Sequence, residues 1–589
     1  MPFTLSKEHL EAVARKRKVV VNFDVLVVDP AIDEDPNALA CERLTYADYP
    51  DITIDSIWWN WSEGNIVTYP SKRIPSFIHP GYERWVNDGI DIVKVFLDET
   101  HERGIESFYA HRMNGGDGDP MFLPEVGLIH DGVVKAGKKP PGPWGTYTIP
   151  MKEKHPEWLF YLSQSQIGYW NFAIEEVREF ILGNLQEIAE RYDFDGIDLD
   201  FARGAIFPQG EGWINRDSMT TFMRDLRKIL LDIEKSRGQP FLLSARVPHD
   251  IVGCHFDGID VERWAEENLV DIFVLGCRSF EVDLLSFKNF TDDTHIKLYA
   301  ALDDHHSTDS YCTPPIEVFR GVFSNWYRQG ADGVQTFNWA HGPYNHLADP
   351  GQNWDLTIGT AWAKMHGQAY SELSNTDSTK LLDKTFVVQR RGGGHGNEWV
   401  PDPETWYTPR RNYHNSNMFS QLPLEIPDNP DVDGLIKLYV GDDVNAQSNQ
   451  IQSIELKILL HDAGNGDYIH IPRYDTPPVA GNNTIDRVII RDWGIPEREG
   501  KDNPVQLHNN PPQQGIEEGI KVHINNIPVD TPCIESGWLV CKIAPPTLAT
   551  GENLVGISHN NLDAYTSKMV IEKLELHVKY KIYSMVSEK

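Results

Sequence analysis

The chain predicts an α/β protein, a (β/α)8 TIM barrel followed by a C-terminal antiparallel β-sandwich. Three observations carry that expectation. Short β-branched or aromatic runs alternate with amphipathic helical segments through residues 1–365, the pattern of parallel strands joined by crossover helices. The runs number eight, the count that closes a parallel barrel. Beyond residue 365 the texture turns polar and rich in glycine and proline, with strands but few helical periodicities. A doubly wound sheet is the competing arrangement, but no glycine-rich turn follows the first strand and eight strands would have to lie in one open layer.

Taken in order, the barrel strands are "VVVNFDVL" (19–26), "SIWWNW" (56–61), "IESFYAHR" (105–112), "GIDLDFA" (196–202), "LLSARVP" (242–248), "DIFVLG" (271–276), "IKLYAAL" (296–302) and "GVQTFNW" (333–339). Val177, Ile181, Leu185 and Ile188 mark one helical face ahead of the fourth strand. Phe222, Leu226, Ile229 and Ile233 mark another after it, with Gly238 as C-cap. Residues 366–432 form a connecting segment. Its stretch "NEWVPDPETWYTPRRNYH" is too aromatic for a flexible linker and predicts an ordered connection that wraps the barrel. Residues 433–589, with runs such as "LIKLYVG", "SIELKILL" and "KLELHVKYKI", read as the accessory sandwich, which should pack against the barrel and do no chemistry.

Composition narrows the function classes. A formal net charge of −33 over 589 residues repels nucleic acid and anionic membranes, so neither is expected as a partner. No apolar run reaches the roughly 20 residues that span a bilayer, and the N-terminus has no apolar leader core, which predicts a cytoplasmic chain as given, a trimmed leader being the alternative. The "RKRK" at 15–18 reads as a solvated helix end. Six cysteines are too scattered for a disulfide framework, although the spacing of Cys533 and Cys541 would allow them to face each other across a hairpin. There is no P-loop and no G-x-S-x-G elbow. His111, His249, His305, His306 and His341 lie at strand ends without an H-E-x-x-H or H-x-H pair, so no metal and no cofactor is expected. Oligomeric state is not readable.

The stretch "RYDFDGIDLDFARG" puts three aspartates into what otherwise reads as a buried strand. Alternation gives Asp198 and Asp200 one face and Ile197, Leu199 and Phe201 the other. In a parallel barrel the apolar face meets the helices, so both carboxylates point inward near the C-terminal rim, where barrel enzymes keep their chemistry. Asp195 has the opposite parity and is expected in a cap or salt bridge at the bottom. Neighbouring buried carboxyls cannot ionise independently, so such a pair can supply an acid and a base. Arg246 shares the inward parity and is expected to pair with the deeper Asp198. Asp24, inward on the first strand, is expected in a buried ion pair.

"FDGIDLDFARG" resembles the fourth-strand signature of the family 10-like glycosyl hydrolase barrels, with further local likeness in "WNFAIEEVREFI", "SARVP" and "QGADGVQTFNW". The resemblance covers roughly residues 19–345. It is also similar to the D-G-x-D-x-D-x-E strand of family 18 chitinases, but Ala202 stands where their acid glutamate would be, which removes that mechanism. By analogy with the α-amylase-type strand that ends in its nucleophile, Asp200 is the best catalytic residue. The resemblance implies a carbohydrate substrate and a glycosidase mechanism with a second carboxyl, about 5 Å away for retention or about 6.5–9.5 Å for inversion. Glu281 after the sixth strand and Asp303 and Asp304 after the seventh are the candidates, with Glu125 a less secure one. Trp58, Asn60, His111, Arg112, Arg203, Arg246, His249, Arg278, Asp304, Asn338 and Trp339 are expected to line the mouth, as aromatic platforms and polar groups for a sugar. The four arginines would accept a carboxylate or sulfate on that sugar, or else neutralise the rim aspartates. The other function classes are a carbohydrate-binding scaffold whose barrel has lost its acid, and a polysaccharide lyase using a His or Tyr base.

Overall fold

The computed structural model describes residues 2–24, 35–63, 65–67, 69–78, 80–114, 127–130, 133–135, 149–161, 168–201, 204–276, 279–302, 314–337, 339, 366–389, 420–427, 429–462, 468–470, 506–508, 516–535, 538–560 and 569–581. Eight parallel strands close a barrel: β1 (Val19–Asp24), β2 (Ser56–Asn60), β3 (Glu106–Arg112), β4 (Gly196–Asp200), β5 (Leu242–Val247), β6 (Ile272–Leu275), β7 (Lys297–Leu302) and β8 (Gly333–Phe337), which pairs back onto β1. Each begins and ends within two residues of the sequence expectation.

Alternation along these strands sorts the core into two shells. Val19, Val21, Phe23, Ile57, Trp59, Tyr109, Ile197, Leu199, Leu243 and Ala245 join the helices in one large apolar cluster. The other parity, including Val20, Trp58, Phe108, Ala110, Leu242, Ile272, Val274, Tyr299 and Ala301, forms a separate cluster inside the barrel. Trp58 and Phe108 stack there with ring centroids 4.8 Å apart and planes 6° from parallel. They fit because Gly196 has no side chain: a Cβ at that position would lie 2.7 Å from the Phe108 ring and from the Leu242 carbonyl. The aromatic pair therefore floors the lumen one residue pair below Asp198.

Three helices position the rest. Helix α1 (Lys7–Ala14) closes the bottom, contributing Val13 to the lumen cluster. Beside it the Arg17 guanidinium donates to both Glu106 oxygens at 2.6 Å. On the same helix His9 bridges Glu234 (2.6 Å) and Asp271 (2.9 Å), and Arg227 grips Asp271 with two nitrogens. Helix α2 (Glu175–Arg191) and helix α3 (Gly212–Arg237) flank β4 and bury the expected faces, Val177, Ile181, Leu185 and Ile188 on one and Phe222, Leu226 and Ile233 on the other. Gly238 ends α3 at φ 68°, a left-handed cap that favours glycine. Asp195 takes its expected place at the bottom, accepting from His101 Nε2 (3.0 Å) and the Ser107 amide (2.8 Å). No helix among the described residues is long and apolar enough to cross a membrane.

The C-terminal region is a pair of antiparallel sheets. One is ordered β9 (Lys384–Val387), β15 (Met569–Tyr580), β11 (Ile451–Asp462), β13 (Trp538–Lys542), with Cys533–Glu535 at its edge; the other is β10 (Gly434–Val440), β14 (Gly551–His559), β12 (Ile520–Ile524). Ile436, Leu438, Leu456, Ile458, Val555, Ile557, Leu574 and Leu576 fill the space between them. Two stretches of the connecting segment, β9 and Leu424–Glu425, pair with β15 and so belong to this sheet, whereas "NEWVPDPETWYTPRRNYH" lies outside the described residues. Cys533 sits exposed opposite Val540 while Cys541 is buried, and both are free thiols, so the hairpin brings no disulfide.

The sandwich packs against the barrel through helix α4 (Ile316–Arg328), which runs so close to β9 that a Cβ on Gly321 would meet the Thr385 carbonyl. Asp442 gathers the junction, accepting from Ser324 Oγ (2.6 Å) and Tyr580 OH (2.7 Å) and pairing with Lys384 Nζ (2.8 Å). The Asn325 amide clamps the Tyr439 carbonyl and the Gly441 amide from the barrel side.

Candidate active site

Strand β4 delivers Asp198 and Asp200 to the lumen, both buried, and the neighbouring strand supplies their partners in register, Ser244 opposite Asp198 and Arg246 opposite Asp200. Asp198 Oδ1 accepts from Ser244 Oγ at 2.8 Å. Asp200 Oδ2 accepts from Arg246 Nη1 at 3.3 Å, while Arg246 Nη2 stands 4.0 Å from Asp198 Oδ2 and donates to Gln335 Oε1 at 2.6 Å. The guanidinium lies 4.3 Å above the Phe337 ring. Pairing with Arg246 was expected at Asp198; the shorter contact is at Asp200, because parallel register sets the arginine across from the rim residue and a serine across from the deeper one. For Arg246 the neutralising role is the one observed.

Burial pushes the Asp198 carboxyl up to about 7, with the Asp200 charge adding to the rise and Arg246 and Ser244 opposing it. Near neutrality this carboxyl therefore keeps its proton far more readily than an ordinary one. Arg112 lies in register on the other side of Asp200, and Asn60, at the lumen end of β2, is buried beside Ala110.

Several expected lining residues sit elsewhere. Trp58 is the stacked floor residue, its indole N–H donating to Ser56 Oγ at 2.8 Å, and does not reach the rim. His111 alternates with Arg112 and shares the helix-facing side of β3 with Tyr109, on which it stacks. Burial pushes its pKa down to about 4 against the pull of the Asp200 charge, so it is a neutral imidazole. Trp339 packs in the outer shell between Phe319, His366 and Tyr370. His249 is buried past the end of β5 with Nε2 3.3 Å from Asp250, and burial lowers its pKa. The Glu281 carboxylate is turned to the junction with the sandwich, where it accepts from the Gln389 amide (3.1 Å) and Gln421 Nε2 (3.5 Å). Arg203, Arg278, Asp303, Asp304 and Asn338 lie outside the described residues, as do Glu125, Ala202, His305, His306, His341 and the side chain of Asp24.

Sequence reasoning missed Ser244, Gln335, Phe337 and Asn22, all buried and of inward parity. The signal that could have found them was alternation in "LLSARVP", "GVQTFNW" and "VVVNFD". Among the described residues no group of three or more His, Cys, Asp or Glu is placed to hold a metal ion.

The sequence matches no protein-family model and no curated protein. Similar solved structures include α-L-fucosidase isoenzyme 2 from Paenibacillus thiaminolyticus, 13% identical, with 63% of this chain and 51% of that one covered at a TM-score of 0.37. A noncanonic maltogenic α-amylase from Thermotoga neapolitana is 13% identical, with 64% and 83% covered at a TM-score of 0.32. A glycoside hydrolase family 18 N-acetylglucosaminidase from Paenibacillus barengoltzii is 12% identical, with 44% and 53% covered at 0.23. The chain spans about half the length of the fucosidase. At such scores the barrel rests on its own strand pairings and the chemistry on its own residues.

Proposed function

We propose that the protein is a glycoside hydrolase that cleaves a poly- or oligosaccharide at the C-terminal mouth of the barrel. The observation that carries the reading is the unequal surroundings of two carboxyls on one strand: Asp200 has a cationic partner in Arg246 at 3.3 Å, whereas buried Asp198 is pushed up to about 7 beside a serine hydroxyl. Carboxyls placed in different environments are what acid and base roles require. Glycosidic cleavage needs a carboxylate against the positive charge that develops at the anomeric carbon, and a proton for the leaving oxygen. Asp200, nearest the rim, is the carboxylate, held in orientation by an arginine that Gln335 and the Phe337 ring fix in turn. Asp198, one layer deeper, stores a proton beside it. Glu281 is engaged at the sandwich, so we assign the carboxyl that protonates the leaving group to Asp303, which follows β7 in the sequence.

The test is a panel of neutral, uronate and sulfated polysaccharides, read for new reducing ends and for the ultraviolet absorbance of an unsaturated uronate. Reducing ends without that absorbance, falling by several orders of magnitude in Asp200→Asn with the fold intact, is the expected result. Near-wild-type turnover in Asp200→Asn would make the carboxylates structural. An absorbing product would establish a lyase, and glycan binding without turnover a scaffold.

A further inference from the structure

Among the buried lumen-face side-chain atoms that have no hydrogen-bond partner among the described residues are Nδ2 and Oδ1 of Asn22, Nε2 of Gln335, Oδ2 of Asp198 and Nε of Arg246. Buried polar groups are almost always paired, so a cluster of exceptions asks for a partner that is not protein. Their placement is specific. Asn22 is 1% exposed and shares the inward parity of Val20, between Val21 and Phe23 that turn to the helices. Its register neighbours are Trp58 on β2 and Phe337 on β8, the ring that lies under Arg246. Gln335 is locked through Oε1 to Arg246 Nη2, which fixes where its amide N–H groups can go, and the same Nη2 is 4.0 Å from Asp198 Oδ2. Gln335 and Asp198 thus flank one guanidinium, and Asn22 stands in register with the ring beneath it.

The chemistry of the set selects the ligand. Asn22 offers two donors and an acceptor, Gln335 offers donors, and the free Asp198 oxygen accepts or, when protonated, donates. A group that both donates and accepts in several directions fits them, and adjacent hydroxyls on a ring do so. A carboxylate or sulfate fits less well: it only accepts, so it would leave Asn22 Oδ1 without a donor, and its charge would lie against Asp198. We propose that Asn22 and Gln335 form the floor of the subsite next to Asp200 and read the hydroxyls of a neutral sugar ring, so that any anionic sugar of the substrate binds farther out. This rests on the glycosidase reading above and makes Asn22 a specificity-determining residue.

Calorimetric titration with glucose, galactose, mannose, xylose, fucose, glucuronate and galacturonate tests it on wild type, Asp200→Asn, Asn22→Leu and Gln335→Leu, alongside thermal unfolding without sugar. At least one neutral sugar should saturate wild type and Asp200→Asn, and each leucine variant should weaken it by about tenfold or more. Asn22→Leu should unfold no earlier than wild type, because its amide bonds to no group among the described residues; it carries the test if Gln335→Leu, which strips Arg246 of an acceptor, proves unstable. Preferential binding of a uronate, binding of no neutral sugar, or unchanged affinity in Asn22→Leu, which would mean an internal water only, each overturns the proposal. Binding that depends on Asn22 in a protein that turns over nothing in the polysaccharide panel sinks the hydrolase reading and leaves the subsite standing. Turnover with affinity and KM untouched by Asn22→Leu sinks the subsite alone.

Discussion

Replacing Asp198 with asparagine separates two accounts of the fourth strand. Were Asp198 the partner of Arg246, the substitution would strand a buried charge and cost about 3–5 kcal/mol. In the structure that contact is 4.0 Å long, Arg246 is nearer Asp200, and burial raises the Asp198 carboxyl from 3.8 to about 7. Such a rise is about three pKa steps, on the order of 4 kcal/mol against the ionised form. Coupling to Asp200 and Arg246 makes about 2–4 kcal/mol the reasonable span. The folded state holds this proton more tightly than the unfolded chain does. Wild type therefore loses stability as pH climbs from about 4 to about 7 and does not regain it above. Asparagine has nearly the same shape, can still accept from Ser244, and never ionises. Across that window the stability of Asp198→Asn relative to wild type should move in the variant's favour by about 2–4 kcal/mol, leaving it at least as stable as wild type near pH 8. Urea unfolding at closely spaced pH values reads this directly. A difference that stays constant with pH, or wild type gaining on the variant as pH rises, would show that Asp198 is ionised and paired in the native protein.

Burial alone would lower the pKa of His9, but Asp271 and Glu234 raise it, with Arg227 opposing, so its contribution is complete below the ordinary histidine value of about 6.5 and fades as pH rises through the folded value. The unfolding midpoint of His9→Gln should accordingly fall farther below wild type at pH about 6 than at about 9; an equal deficit at both would mean a neutral His9. Lys384→Met leaves Asp442 charged at the junction and should cost about 3 kcal/mol, most of it recovered in the double variant with Asp442→Asn; a double-mutant cycle with no coupling would refute the pair. Gly196→Ala forces a methyl against the Phe108 ring and the Leu242 carbonyl and should cost about 1–3 kcal/mol or more by denaturant unfolding, whereas a loss under about 0.5 kcal/mol would show that the lumen floor yields.

The barrel was legible because buried parallel strands leave a dense local record: β-branched runs, helical faces at regular spacing and a glycine cap each speak for themselves within a few residues. The inward pair Asp198 and Asp200 followed from alternation alone. So, with the same rule, would the removal of His111, since it alternates with Arg112 on β3. What the sequence could not rank was partnership. Arg246 has the parity to meet either aspartate, and only interstrand register, a property of two segments 46 residues apart, decides for Asp200. The assembly of His9 with Asp271 spans 262 residues and leaves no local trace. Trp339 looks like a sugar platform in "FNW", yet its ring packs against Phe319 and Tyr370, partners 20 and 31 residues away in the sequence.

The edge strand Lys384–Val387 bears on how this protein can be taken apart. It lies 46 residues ahead of the next long strand of its region, within the connecting segment, yet it completes the sheet through β15 and carries Phe386 into the sandwich core. A chain begun at residue 433 would leave β15 with a bare hydrogen-bonding edge and uncover its apolar neighbours, an invitation to edge-to-edge association. The same strand is pressed against α4, so a barrel ended at residue 365 would bare the helix face around Gly321. Recombination, whether in evolution or at the bench, would have to move the two units together or cut within the segment that ties them.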